Sequence, residues 1–170
     1  ISLKLCALAA FGLAAHYTVH SATSDAGRLR AAEPAGSATL EPQPGLVRIK
    51  DLFARLRLTF EPAAFEKGLE LSFHGAQRVA FTDGLLLERI LRNLVANAIR
   101  YTEDGGVLVA CRPRGDRLVV QVWDSGIGIA EASLPHVFEE FYQVQGHRPL
   151  EPHQRKGMGL GLAIVKRLAG

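Results

Sequence analysis

The chain has 170 residues, 48% of them hydrophobic and 22% charged, with a formal charge of +3. That length buries one domain core, and that composition is globular rather than disordered. No run of Lys or Arg is long enough for a nucleic-acid-binding tail, and Cys6 and Cys111 have neither zinc nor redox-pair spacing. These features point to a reducing, cytoplasmic setting with no nucleic-acid partner.

Residues 1–20 are apolar with breaks at Lys4, His16 and His20. The stretch is too short to span a bilayer and lacks a cleavage pattern, so residues 1–23 are expected to form a helix that packs on a partner helix. Residues 24–45 are rich in Ala, Gly, Pro, Ser and Glu without periodicity and read as a linker to an ordered domain over 46–170. Val47 and Ile49 alternate with Arg48 as a short strand. Asp51 then suits an N-cap for a helix with Leu52, Phe53, Leu56 and Phe60 on one face. Leu69, Leu71 and Phe73 alternate as a half-buried strand, and Arg78 to Phe81 gives another. Thr82 or Asp83 caps a long helix to about Tyr101, which the turn Thr102 to Gly106 ends.

A hairpin follows, with strands Val107–Arg112 and Leu118–Trp123 joined at Pro113 to Asp116. Cys111 falls in the first of these strands as a small core residue. After a glycine loop come a short helix near Leu134 to Phe138, a polar segment to about Lys156, and a final helix from Gly159 that runs to the last residue. The expected fold is a two-layer α/β sandwich, with helices on one face of a mixed sheet. A chain that starts at Ile1 and stops at Gly170 in mid-helix is expected to be a fragment of a longer one.

Three features carry chemistry. On the helix 83–101, Leu87, Ile90, Leu91, Leu94 and Ala98 share the core arc, while Asn93, Asn97 and Arg100 share a flank with Tyr101 beside them. Asn is a mediocre helix former, so two of them one turn apart suggest a functional role. Amide oxygens suit Mg²⁺, and Arg100 suits a phosphate. Taken alone, a solvated flank explains the pair better. Asp124 ends an apolar strand and is followed by Gly126 and Gly128, so its carboxylate can accept from a purine amine while the glycines allow close backbone approach. Taken alone, Asp-x-Gly is more often a plain turn. Gly157, Gly159 and Gly161 open the last helix, where bare amides suit an anion. The sequence fits neither a Walker A loop nor a dinucleotide fingerprint. Just before these glycines, His147, Arg148, His153, Arg155 and Lys156 lie in a polar stretch that suits either a phosphate-covering lid or a plain solvated loop. The histidines show no metal spacing.

Together, in this order, the motifs resemble the ATP-binding catalytic domain of bacterial sensor histidine kinases, within the gyrase–chaperone–mismatch-repair ATPase superfamily. Arg89 to Thr102 is similar to the family's N box, Val122 to Ile129 to its first glycine box, Phe138 to Tyr142 to its F box, and Lys156 to Leu162 to its second glycine box. Ser24 to Leu29 resembles the exit from the dimerisation helices. The resemblance implies a Bergerat-type sandwich that binds ATP with Mg²⁺. It places Asn97 on the metal with Asn93 nearby, Arg100 on phosphate, and Tyr101 against the adenine. Asp124 would read the adenine amine, Gly126 and Gly128 would shape the pocket, and Lys156, Gly157, Gly159 and Gly161 would hold phosphates.

Where hydrolysing relatives carry a water-activating Glu, this helix has Asn93, whose amide cannot take a proton. The resemblance therefore implies transfer to a histidine of a dimerisation domain, as a homodimer through that domain, and onward signalling to a response-regulator receiver domain. It implies a cytoplasmic domain and leaves open whether the parent protein is held at a membrane. Two departures stand out. Neither His16-Tyr17-Thr18 nor His20-Ser21-Ala22 matches a phosphoacceptor motif, and the fold's last hairpin, expected after the final helix, is missing, which would leave a sheet edge exposed. Two alternatives stay open: a degenerate nucleotide-binding or partner-docking module, and an anti-sigma-type serine kinase.

Overall fold

The structure, a computed structural model, describes residues 6–8, 14–20, 42–115, 117–143 and 159–169. In chain order its elements are β1 Cys6–Leu8, β2 Ala14–His20, β3 Gly45–Arg48, α1 Ile49–Glu66, β4 Glu70–His74, β5 Val79–Thr82, α2 Gly84–Tyr101, β6 Gly106–Arg114, β7 Arg117–Asp124 and α3 Gly161–Ala169. Five strands form one mixed sheet in the order β1-β2-β7-β6-β4, and β3 pairs with β5 in a second, two-stranded sheet. Within the large sheet β4 runs parallel to β6, and the other pairs are antiparallel. This is the two-layer sandwich expected from the sequence, with helices packed on one face of the sheet.

Period-two alternation explains how the sheet meets the helices. Val107, Val109 and Cys111 of β6 and Leu118, Val120 and Val122 of β7 point into the core, where they join Leu52, Phe53 and Leu56 of α1 and Leu87, Ile90, Leu91, Leu94 and Ala98 of α2. Each fully buried aliphatic side chain contributes about 1.5–3 kcal/mol by leaving water. α3 adds Val165, which is fully buried against this cluster. Burial pushes the Cys111 thiol up to about 11, against a smaller opposing effect of Arg78, so the cysteine sits here as a small apolar core residue.

The structure departs from the sequence expectations in several places. The N-terminal segment, expected to be helical, contributes the strands β1 and β2. β2 pairs antiparallel with β7 from Ala15 opposite Val122 to His20 opposite Arg117. The physical reason is the open edge of β7, whose backbone groups need partners that a helix cannot supply. Tyr17, Thr18 and Val19 are also strand formers. The sheet edge expected to be exposed is therefore laddered.

α1 starts two residues before the predicted cap. Arg48 occupies the N-cap position, and the Ile49 amide is taken by the Arg78 carbonyl at 2.9 Å, while Asp51 lies in the first turn, where its charge suits the helix dipole. The hairpin strands run past the predicted turn, so that Pro113 pairs with Leu118. β4 has already ended opposite Ala110, and the missing N–H of Pro113 costs no ladder bond on that side. A 3-10 turn at Glu131–Ser133 stands in place of the expected helix at 134–138, where Pro135 has no N–H to donate to a helical ladder. α3 begins at Gly161, since Gly159 has φ +70°, outside the helical region.

Candidate functional site

Asp83 sets the start of α2. Its Oδ1 accepts from the amides of Leu85 and Leu86 at 2.9 and 3.0 Å, and its Oδ2 from Gln43 at 2.8 Å. Burial alone would raise this carboxyl, but the three amides outweigh it and hold the pKa below its ordinary value. From that start the helical period buries Leu87, Ile90, Leu91, Leu94 and Ala98 and leaves Asn93, Asn97 and Arg100 half-buried along one flank.

Asn93 donates its Nδ2 to the Arg89 carbonyl at 2.8 Å, which directs its oxygen away from the helix. What that oxygen faces is Gly161, the first residue of α3. A Cβ at Gly161 would lie 3.3 Å from Asn93 Oδ1, 3.6 Å from Asn97 Nδ2 and 3.9 Å from Asn97 Oδ1. Glycine lets the N-terminus of α3 come this close to both amides. An α-helix leaves its first amides without intrahelical partners, so two side-chain amides and a set of backbone donors share one place.

Asp124 ends β7 opposite Val107. Its Oδ1 accepts from the Gly126 amide at 2.9 Å. Burial pushes its pKa up, and the Gly126 bond offsets only part of that rise. A Cβ at Gly126 would collide with the Tyr101 carbonyl oxygen and sit 2.8 Å from Asp124 Oδ1, so the loop can pass only as glycine. The Ile127 amide donates to that same Tyr101 carbonyl at 3.2 Å, which ties the loop to the end of α2. Ser125 secures the other side: its hydroxyl donates to the Asp104 carbonyl at 2.8 Å and accepts from the Gly106 amide at 3.0 Å. Ser125 is not among the residues singled out above, although a hydroxyl between Asp and Gly after a strand is a turn-fixing signal. Tyr101 is 44% exposed beside this loop, and Gly128 follows at φ +69°.

At the far end Gly159 accepts at its carbonyl from the Phe141 amide at 3.1 Å, and a Cβ there would lie 2.8 Å from the Tyr142 oxygen. Phe141 and Tyr142 thus abut Gly159. Phe141 itself has φ +63° and is 67% exposed. Lys156 and Gly157, with His147, Arg148, His153 and Arg155, lie outside the described residues. The structure therefore brings Asn93, Asn97 and Gly161 together, and separately Tyr101, Asp124 and Gly126. A larger concavity, about 670 Å³, lies at the opposite end of α2 between β3 and the Asp83 cap. Of the two carboxylates lining it, Asp83 is spent on capping and Asp51 lies in the first turn of α1.

The sequence model of the Histidine kinase-, DNA gyrase B-, and HSP90-like ATPase family matches residues 82–170. The chain belongs to that ATPase family. Sensor histidine kinase CusS of Escherichia coli O6:H1 is 37% identical over 130 residues, which is 76% of this chain and 26% of that protein. The aerobic respiration control sensor protein ArcB of Escherichia coli K12 is 44% identical over 89 residues, 52% of this chain and 11% of that protein. Among solved structures, full-length ShkA in complex with AMPPNP is similar at 33% identity and a TM-score of 0.63, over 78% of this chain and 27% of that one. The nucleotide-free catalytic domain of histidine kinase ThkA shares the fold, with a TM-score of 0.62 at 23% identity over 74% of this chain and 79% of that one. The chain spans about a quarter of the length of the CusS kinases it matches. Within the ATPase family it is thus an ATP-binding catalytic domain of the histidine kinase branch.

Proposed function

We propose that this domain holds ATP between the Tyr101–Asp124–Gly126 end and the Asn93–Asn97–Gly161 end, and presents its γ-phosphate to a histidine of a dimerisation domain. The convergence of two amide side chains on the N-terminus of α3 carries the reading, because it gathers metal-type oxygens and phosphate-type donors in one place. At the other end, a half-buried carboxylate leads a loop tied to the backbone of Tyr101, whose side chain is exposed, and this set suits an adenine with its exocyclic amine.

Mg²⁺ fits this donor set, with Asn97 as ligand and the outward oxygen of Asn93 nearby. When bound it neutralises charge on the phosphates. Arg100, one turn beyond Asn97, would meet a phosphate, as would Lys156, Gly157 and Gly159. Gly128 would shape the base end. In the transfer an imidazole nitrogen attacks the γ-phosphorus, the bond to the bridging oxygen breaks, and ADP leaves with the electron pair. The domain contributes position and charge complementarity, since Asn93 cannot take a proton from water. Hydrolysis is accordingly expected to be slow beside phosphotransfer. The dimerisation domain, a homodimer formed through it, and a response-regulator receiver domain are the partners this reading requires. It places the domain on the cytoplasmic side, and no helix among the described residues is long and apolar enough to cross a membrane.

Calorimetric titration with a non-hydrolysable ATP analogue, with and without Mg²⁺, tests the pocket. Metal-dependent binding that Asn97→Ala abolishes is expected, and affinity unchanged by that substitution with metal present rejects the assignment. Transfer of label from ATP to an added dimerisation domain, acid-labile as a phosphohistidine must be, then separates a kinase from a docking module or a serine kinase.

A further inference from the structure

Five consecutive carbonyls close the C-terminal end of α2, and each has a partner. The Ala98 oxygen accepts from the Thr102 amide at 3.1 Å and from the Thr102 hydroxyl at 2.7 Å. The Tyr101 oxygen accepts from the Ile127 amide at 3.2 Å. The other three, of Ile99, Arg100 and Thr102, all accept from Lys67 Nζ, at 2.8, 3.0 and 3.1 Å. An ammonium has three protons and no acceptor, so this one lysine is fully engaged by one helix end. A cation there also opposes the negative end of the helix dipole.

Lys67 does not reach this place on a loose tether. It is the C-cap residue of α1, and the turn behind it is closed by the Gly68 amide on the Phe65 carbonyl and the Leu69 amide on the Ala64 carbonyl, both at 2.9 Å. Leu69 is buried, which pins the turn from the other side. A fixed turn of α1 thus grips the last turn of α2, whose residues include Arg100 and Tyr101, and through the Tyr101 carbonyl the grip extends to Ile127 and the glycine loop.

We infer that Lys67 is a positioning residue for the nucleotide site: it holds the last turn of α2 so that Tyr101 and the Asp124–Ile127 loop keep their mutual spacing. The inference rests on the nucleotide reading proposed above. Lys67 has no part in contacting ATP and acts only through the backbone it clamps.

The test compares wild type, Lys67→Met, which keeps the stem without donors, and Lys67→Gln, which keeps two donors without the charge. Leu56→Ala, a core truncation in α1, serves as a control for general loss of stability. Two quantities are read at a temperature where all four are folded: hydrogen exchange at the Ile127 amide relative to the Leu91 amide, and affinity for the ATP analogue. Lys67→Met is expected to speed Ile127 exchange and to weaken analogue binding by about tenfold each, with Lys67→Gln in between and Leu56→Ala near wild type in both. If Lys67→Met does not fold, the same ordering between Lys67→Gln and Leu56→Ala decides the matter. Affinity within about twofold of wild type, or equal weakening by Leu56→Ala, overturns the assignment and leaves Lys67 an ordinary helix cap. A wild-type chain that binds no analogue overturns the nucleotide reading together with this one, whereas binding that Lys67 variants leave intact overturns this one alone.

Discussion

Asp124, the proposed reader of the adenine amine, burdens the fold by its burial. Its pKa is raised by burial, so the folded chain holds that proton more tightly than the unfolded chain does. Stability from this group is therefore full below the ordinary carboxylate range and falls as pH rises through the raised value. Asp124→Asn removes the charge and keeps an oxygen for the Gly126 amide. In the absence of nucleotide, its melting temperature at pH 7 should equal or exceed that of wild type, the difference closing toward about pH 4, while analogue binding is lost. A variant that melts below wild type at neutral pH counts against burial as the cause. Gly126→Ala offers the opposite case, because the added methyl meets the Tyr101 carbonyl. It should cost about 1–3 kcal/mol by overpacking, read as a lower urea midpoint, and abolish binding. At this scale the sequence is legible wherever one element suffices: the flank of Asn93, Asn97 and Arg100 follows from helical period alone. Lys67 is not legible, since nothing local distinguishes it from a solvated lysine. Its partners lie more than thirty positions away, at Ile99 to Thr102.

Elements are legible where their cause is local and obscure where it is not. α2 carries both its cap and its core arc within its own sequence, β6 carries alternation, and β7 carries a nearly continuous apolar run after a turn. β2 owes its form to β7. Nothing within residues 14–20 announces a strand partner near residue 120, so an apolar stretch without period looks like a helix until β7 is beside it. α1 likewise begins where it does because a carbonyl from Arg78 takes its first amide. The β2 pairing makes its own prediction. Deleting residues 1–20 strips one side of β7, and those amides between Leu118 and Val122 that face β2 should lose hydrogen-exchange protection, while those of Leu91 and Leu94 in α2 keep theirs. Equal protection in the shortened chain would mean that the edge of β7 has another cover.

Taken whole, the molecule assembles its candidate site from α2, the β7 loop and the start of α3, so the site exists only when all three are docked. Ligand binding to such a site should stabilise the entire fold by mass action. At a free analogue concentration of about 100 times Kd, with Mg²⁺ present, the gain is about 2.7 kcal/mol. For a domain of this size that corresponds to a rise in melting temperature of roughly 5–11 °C. No rise at that concentration would mean that the ligand also binds the unfolded chain, or that it sits on a part that melts separately.

The pairing of His20 with Arg117 also sets an order in time. A ribosome delivers β2 first and its partner strand roughly a hundred residues later, a wait of about 5–20 s at ordinary elongation rates. Throughout that interval β2 has only β1 beside it and its other edge stays open, while α1, β4 and α2 emerge in turn and can pack. The sheet is therefore closed by its oldest segment last, and the nascent chain depends on whatever shields that segment until β7 arrives.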